Sequence, residues 1–344
     1  MTNAFGQVPK FQCRHCRTGF SSQTFSIDYW VHRPVPYPLI QNLLVGGSGI
    51  RQASRTLGVS TRLLANRHLR LARTSMVLQA DGTDDFALKE PLVLDGFESF
   101  AFSQYYPNNL NLLVTGDSQF VLGITGTVLR RKGRMTKAQK IRREKLEKLW
   151  KAPSNGIFKS CKELFQYGCH LSFGSRRLPI EFRTDEKQEY GWALGKLEPY
   201  GAWREAGLLV HSTTPSKQPR TCENPLFSVN YLDRQLRKDL AEHVRESVRF
   251  ARRIEHSLER AVIHLAHHNF QKKFRTKGRD EFLTHAEVAG LGRERILEFR
   301  SRAFTDRAFG WRSNLEQWQL SIWNREVGVP VHRVTPLAKH LLTA

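Results

Sequence analysis

Two apolar runs in this chain stop on an aspartate. PLVLDGF carries a strand pattern into Asp95, and LPIEFRTDE carries another into Asp185. Short apolar or alternating runs bounded by turn residues read as strands. Between them NLNLLVTGDSQFVLGITGTVL adds two more, joined by a hairpin at the GDS step. A helical YGWALGKL follows, then a strand, GLLVHSTTPSK, that runs into a polar loop. Residues 231–269 are the longest periodic segment: Leu236, Leu240, Val244, Val248, Ala251, Leu258, Val262 and Leu265 recur on one apolar face. That spacing predicts one long helix, or two joined near Ile254, with Asp233 at its start. Strand, hairpin partner, strand, helix, strand and long helix make a mixed α/β unit, expected over residues 88–275.

Ahead of this unit, residues 35–80 carry helical periods broken by a glycine turn. Ile50, Ala53, Leu57 and Val59, then Leu63, Leu64 and Leu69, have the spacing of short packed helices, and the LGVS step is a helix-turn-helix signal. A recognition helix starting near Ser60 would carry Arg62, Arg67, His68, Arg70 and Arg73 to phosphates and base edges. The plainer alternative is a small helical unit with a solvated basic face. The ADGTDDF stretch is expected to be a loop. Residues 1–34 hold a C-x-x-C knuckle, Cys13 and Cys16, between aromatic segments. It supplies two thiolates where a closed zinc site needs four ligands, so a partial Zn2+ site and a pair of reduced cysteines in a hairpin both stand as readings. Residues 130–150 form a basic helical insertion, either solvated or lying along a phosphate backbone. The remaining residues, 276–344, look helical in their first half, with Trp311, Trp318 and Trp323 as packing anchors.

Charge narrows the choice of partner. Over 344 residues, 54 lysines and arginines face 32 acids, a formal net charge of +22 and a pI near 10.2, which favours polyanions: DNA, RNA or an anionic membrane surface. No stretch of about 18 apolar residues is present, and the N-terminus lacks a basic-then-apolar secretory pattern. Five cysteines, only two of them closely spaced, suit a reducing compartment. The expectation is a cytoplasmic, nucleoid-associated protein with no membrane partner.

The predicted element order is consistent with the ribonuclease H-like fold, in which a first strand offers a carboxylate beside the next strand's and a later helix leans a third over them. Convergent carboxylates hold hard cations, two Mg2+ or Mn2+ ions here, that serve phosphodiester displacement. Asp95, Asp185 and Asp233 are the candidate catalytic and metal-binding residues. Each also has a plainer role: Asp95 in a strand-ending turn before Gly96, Asp185 as a helix cap, Asp233 as a partner of Arg237. His211 would orient a phosphate or a metal-bound water, or sit as a hydrogen-bonded core histidine. Arg130, Arg131, Lys137, Arg142, Arg143, Arg245 and Arg249 are the candidate phosphate contacts outside the helix-turn-helix.

The phrases FQCRHCRTGFSSQTFS, VLDGFESF, TDEKQEY, HSTTPSK and NPLFSVNYLDRQLRKDL together resemble bacterial insertion-sequence transposases of the DDE type, nearest to the insertion-sequence-one and related zinc-ribbon groups, over about residues 4–275. The resemblance implies a zinc ribbon and helix-turn-helix that hold transposon ends, then a ribonuclease H-like catalytic domain. It implies metal-dependent strand cleavage and strand transfer, with water and then a DNA 3′-hydroxyl as nucleophile. Asp95 matches the family's first acid and Asp185 its second. Where many members have a glutamate at the start of the long helix, Asn230 stands here, and Asp233 follows one turn on as the chosen third acid, with Glu223 as fallback. Relatives carry another cysteine pair upstream of the knuckle, and none stands here. Paired DNA ends imply a homo-oligomer during reaction. An inactive DNA-binding remnant or regulator, and a structure-specific nuclease, are the alternatives.

Overall fold

The computed structural model describes residues 2–3, 6–84, 86–176, 178–244, 249–278 and 281–328. Two small hairpins open the chain: β1 (Thr2–Asn3) with β2 (Gly6–Gln7), then β3 (Lys10–Gln12) with β4 (Gly19–Ser21). The cysteine knuckle is the tip of the second, where the Cys13 amide donates to Thr18 O at 2.9 Å. Helices α1 (Tyr37–Val45), α2 (Ile50–Thr56) and α3 (Thr61–Thr83) follow. Between α2 and α3 the LGVS step turns at Gly58, whose φ of +61° is a conformation glycine enters without a Cβ clash. Ser60 then caps α3 by accepting from the Leu63 amide at 3.2 Å. Ile27, Ile40, Leu44, Leu64 and Leu71 close a small core among these helices.

α3 departs from the sequence expectation twice. It runs through Asp81 and Gly82, so the ADGT step is helix, not loop. One glycine in a helix costs about 1 kcal/mol, and burial of Met76, Val77 and Leu78 in the main core outweighs it. The second departure concerns its arginines, which are buried. Arg67 donates to Arg33 O at 3.3 Å, Arg70 to Ile27 O at 2.6 Å, and Arg73 to Trp323 O at 3.1 Å. A guanidinium committed to main-chain carbonyls inside the fold cannot reach a phosphate, so Arg67 and Arg70 are structural residues rather than DNA contacts. Arg62 is the exposed member of that set.

The main body is a five-stranded sheet. β5 (Leu92–Phe100), β6 (Pro107–Thr115) and β7 (Val121–Val128) form an antiparallel meander. After α4 (Lys137–Leu149) and α5 (Gly156–Gly174), β8 (Ile180–Asp185) pairs parallel with β5. α6 (Gln188–Gly195) and α7 (Tyr200–Glu205) then lead to β9 (Leu209–Thr214), parallel with β8, giving the order β7-β6-β5-β8-β9. α5, which the sequence reading passed over although Cys161, Leu164, Phe165, Gly168 and Cys169 recur at helical spacing, covers one face. α8 (Phe227–Asp239) and α9 (Ile254–Phe270) cover the other, so the architecture is mixed α/β in three layers. α10 (His285–Val288), α11 (Arg293–Arg302) and α12 (Gln317–Trp323) complete the α-helices among the described residues. Trp318 and Trp323 are buried as expected of anchors, whereas Trp311 is exposed.

The periodic segment at 231–269 resolves into two helices. Leu240 takes extended dihedrals, Ala241–His243 forms a short 3-10 turn, and α9 begins only at Ile254. Val244, placed by periodicity on the apolar face, is exposed at this break, and Val248 lies outside the described residues. α9 is buried on nearly every side. Ile263 joins the small helical core while Leu258 and Val262 join the sheet's core. The two expected domains therefore share one central helix.

Helix α5 approaches the sheet closely at Gly168, where an added Cβ would lie 2.8 Å from the Phe182 ring and 2.9 Å from Leu92 Cδ1. Phe182 and Leu92 are both buried and cannot swing away. Gly168→Ala should lower unfolding stability by about 1–3 kcal/mol through overpacking. Gly174→Ala, at the open end of the same helix, should leave it unchanged or slightly raised. Equal urea midpoints for the two variants would contradict this packing.

Candidate acidic site and the basic cleft beside it

The sheet register brings the first two acids together. Leu92 pairs with Phe182 and Val93 with Arg183, and paired residues in a parallel ladder project to the same face. Two residues further along each strand stand Asp95 and Asp185, side by side; Asp185 ends β8 as the sequence suggested, but β5 continues past Asp95 to Phe100 because its pairing with β6 extends that far. Both lie on the face covered by α8. Arg237 of α8 stacks over Phe97, 5.1 Å from the ring centroid, and donates to Glu98 O at 3.1 Å and His243 O at 3.4 Å. Those contacts hold the helix across β5, and one turn earlier on the helix is Asp233.

Electrostatics tie Asp95 to each of the other two carboxylates. Burial raises the Asp95 carboxyl above its ordinary value, and the neighbouring charge of Asp185 raises it further. The Gly96 amide at 2.7 Å and the Tyr190 hydroxyl at 3.0 Å both donate to Asp95 Oδ1 and pull the other way. Asp233 is held well above its ordinary value, first by burial and then by the charge of Asp95, against the opposing charges of Arg237 and Arg220. Its Oδ1 is buried with no hydrogen-bond partner. Asp185 Oδ1 accepts from the Lys187 amide at 2.9 Å, so this side chain also shapes the turn into α6. Asp95 thus stands between two acids. Among the described residues, no three His, Cys, Asp or Glu side chains form a cluster placed to hold a metal ion. The donor chemistry nevertheless fits a hard divalent cation: oxygens only, like charges pressed together, and one buried oxygen lacking a donor.

Elsewhere the structure separates residues that the sequence grouped. His211 pairs in register with Phe182, on the face opposite Asp185, and its Nε2 lies 2.9 Å from Thr184 Oγ1. Burial lowers its pKa, so it is a neutral histidine held within the sheet, away from the acids. Glu223 is exposed in the loop before α8. Cys13 and Cys16 share the hairpin tip, where hydrogen bonding to Thr18 draws the Cys16 thiol down to about 7. Arg143 is a structural residue: it donates to Arg131 O at 3.2 Å and lies 3.4 Å from Glu147. Arg130 also pairs with Glu147, at 2.7 Å, but stays half exposed. Lys137 and Arg142 are exposed on α4, whose single buried side chain is Leu146, and Thr136 and Gln139 cap that helix reciprocally. Arg249 is exposed and donates to Gly47 O at 3.3 Å. Arg245 lies outside the described residues.

A cleft of about 1310 Å³ opens between the first turn of α5, the length of α6 and the segment leading out of β7; none of the three acids lines it, and it comes nearest them in the chain at Lys187. Arg130, Arg131, Lys132, Lys151, Lys187 and Lys196 line it against two acids, Glu98 and Glu189. Lys187 joins cleft to site, because its amide holds Asp185 and its ammonium lies 5.7 Å above the Tyr190 ring. Sequence reading missed Tyr190, Lys187 and Arg220. Tyr190, Ala193, Leu194 and Leu197 do repeat at helical spacing directly after Asp185, a signal that the tyrosine faces inward.

A buried acid with a raised pKa costs the fold nothing while protonated. The penalty grows as pH rises from the ordinary value of 3.8 toward the raised one, and it is full above both. Asp233→Asn should therefore raise the thermal midpoint by about 2 °C or more at pH 7 with EDTA present, and the gain should vanish below about pH 4. A midpoint unchanged at pH 7 would remove the buried-charge account. No protein-family model matches the chain, and no curated protein matches it.

Proposed function

We propose that this chain is a DDE-type transposase, which binds insertion-element ends and carries out metal-dependent DNA strand cleavage and strand transfer. The observation that supports it most is that Asp95 feels the charge of both Asp185 and Asp233, with Lys187, whose amide holds Asp185, lining a basic cleft. A ribonuclease H-like catalytic unit would fit the order of the sheet, with Asp95 on the central strand, Asp185 on the parallel strand beside it and Asp233 on α8, where it feels the charge of Asp95. Two Mg2+ or Mn2+ ions, when bound, would polarise the scissile phosphate and lower the cost of charge on the attacking and leaving oxygens.

The chain's own residues prepare that site. Gly96 and Tyr190 occupy Asp95 Oδ1, and the Lys187 amide occupies Asp185 Oδ1, which fixes both carboxylates and leaves each Oδ2 for a ligand. Asp233, one methylene shorter than a glutamate, is carried close to the sheet by the Arg237 anchor. Cleft cations hold phosphates on either side of the cut, with the salt dependence that counterion release imposes. Arg62 at the start of α3, with Lys137 and Arg142 on α4, extends the phosphate-binding surface. Within the same reading the β3–β4 hairpin is a zinc-ribbon remnant, and Cys16 is the thiol most ready to bind Zn2+ as thiolate. Two copies of the chain would pair the two element ends on the nucleoid.

Asp95→Asn and Asp185→Asn should each abolish Mg2+-dependent nicking of DNA carrying the flanking element, while leaving non-specific DNA affinity equal or higher, since each removes a negative charge near phosphates. Nicks mapped on a gel and joined products test it. Cleavage retained by Asp95→Asn would refute the assignment, cut ends without joining would indicate a nuclease, and binding without cleavage would leave a DNA-binding remnant.

A further inference from the structure

We infer that the cleft beside the acids receives an unpaired DNA strand and that Trp192 stacks on one of its bases. Trp192 lies on α6, seven residues after Asp185, and is 61% exposed although its helix neighbours Tyr190, Ala193 and Leu194 are fully buried. It has no ring or hydrogen-bond partner among the described residues. Gly191 and Gly195, adjacent to it and one turn on, carry no side chain to shield it and open on unfilled space. Exposing a large aromatic surface is unfavourable, and within a cation-lined cleft its natural partner is a flat, hydrophobic ring attached to a phosphate chain.

The cleft's character selects the ligand. At about 1310 Å³ it exceeds the range of a small-molecule pocket, and its lining has six cations to two acids, which suits a length of polyanion rather than a single metabolite. Gly156, Ile157 and Phe158, the first turn of the 19-residue helix α5, line the wall opposite α6, and no side chain caps that helix end. Its amides add partial positive charge to that of the lysines and arginines. The faces of bases are covered in a stacked duplex and become available only in a single strand or a flipped nucleotide. A basic groove with an aromatic in it therefore distinguishes an unpaired strand from a duplex. Lys187 lines the cleft and holds Asp185 by its amide, so a strand lying here has its backbone next to the acids.

This inference rests on the proposal that the chain acts on DNA, but it does not require cleavage, so its test omits metal. The full chain and Trp192→Ala and Trp192→Phe variants are titrated in EDTA with a labelled single-stranded oligothymidine of about 20 nucleotides and a blunt duplex of the same length. Trp192→Ala should weaken single-strand binding about 5- to 100-fold and change duplex binding less than about twofold, and Trp192→Phe should retain most of the affinity. Because the side chain is exposed, thermal midpoints should match the parent and exclude a folding defect. Equal losses on both substrates, no loss on the single strand, or a full loss with Trp192→Phe would overturn the proposal. Single-strand binding that follows this pattern in a protein unable to cleave would leave the inference standing and count against the enzymatic reading alone.

Discussion

The candidate site depends on a short parallel junction between β5 and β8. Leu92 pairs with Phe182 and Val93 with Arg183, and those rungs connect the antiparallel meander to β8 and β9. Parallel pairing demands a crossover, and α5 provides it, lying against the sheet so closely that position 168 has room only for hydrogen. Because the side-chain period of a strand is two, the rungs at Val93 and Arg183 also fix Asp95 and Asp185 on one face. A slip of one residue in either strand would turn one carboxylate into the α5 side of the sheet. Packing of Leu92, Phe182 and Gly168 on that side thus enforces the meeting of charges on the other.

The helical N-terminal unit is held to the sheet by buried polar chemistry as much as by apolar contact. Arg260 of α9 donates to Leu44 O and Ser48 O, at 2.7 and 2.6 Å, and pairs with Glu242 at 2.9 Å. Glu259 pairs with Arg325 at 2.7 Å. Buried charges such as these contribute little net stability but make alternative packings costly, since any shift strands a charge. The arginines of α3 belong to the same pattern, which is why a helix with a basic sequence shows so little of its charge to solvent.

Much of the fold was legible in the residues because strand patterning and turn chemistry are local. The three meander strands, the GDS hairpin, the LGVS turn and the strand that ends on Asp185 all follow from apolar runs and their boundaries, whereas β5 runs on past Asp95. What failed was information that is not local. The direction in which Arg67 and Arg70 point depends on Arg33 and Ile27, far back in the chain, and charge composition says nothing about that. The break after Leu240 carries no proline or glycine; the chain turns there because Arg237 and His243 are fastened to β5 by Glu98 O and Ser99 Oγ. At the site, Asp95 and Asp185 could be named from the apolar runs that lead into them, whereas Tyr190 and Lys187 could not, since their roles come from how α6 folds back on β5.

The position of the third acid follows from that same fastening. A glutamate at residue 230 would reach the sheet from the first turn of α8, but Asn230 stands there, buried, with its carbonyl accepting from Arg234 at 3.3 Å. Asp233 lies one turn closer to the Arg237 anchor on Phe97, and there its carboxyl feels the charge of Asp95. Closeness has a cost, visible in the raised carboxyls of Asp95 and Asp233 and in the unpartnered Asp233 Oδ1. A fold selected for stability alone would place a neutral residue there. Asp95 and Asp233 are thus held against each other's charge at a buried position where packing alone gives no reason for a carboxylate.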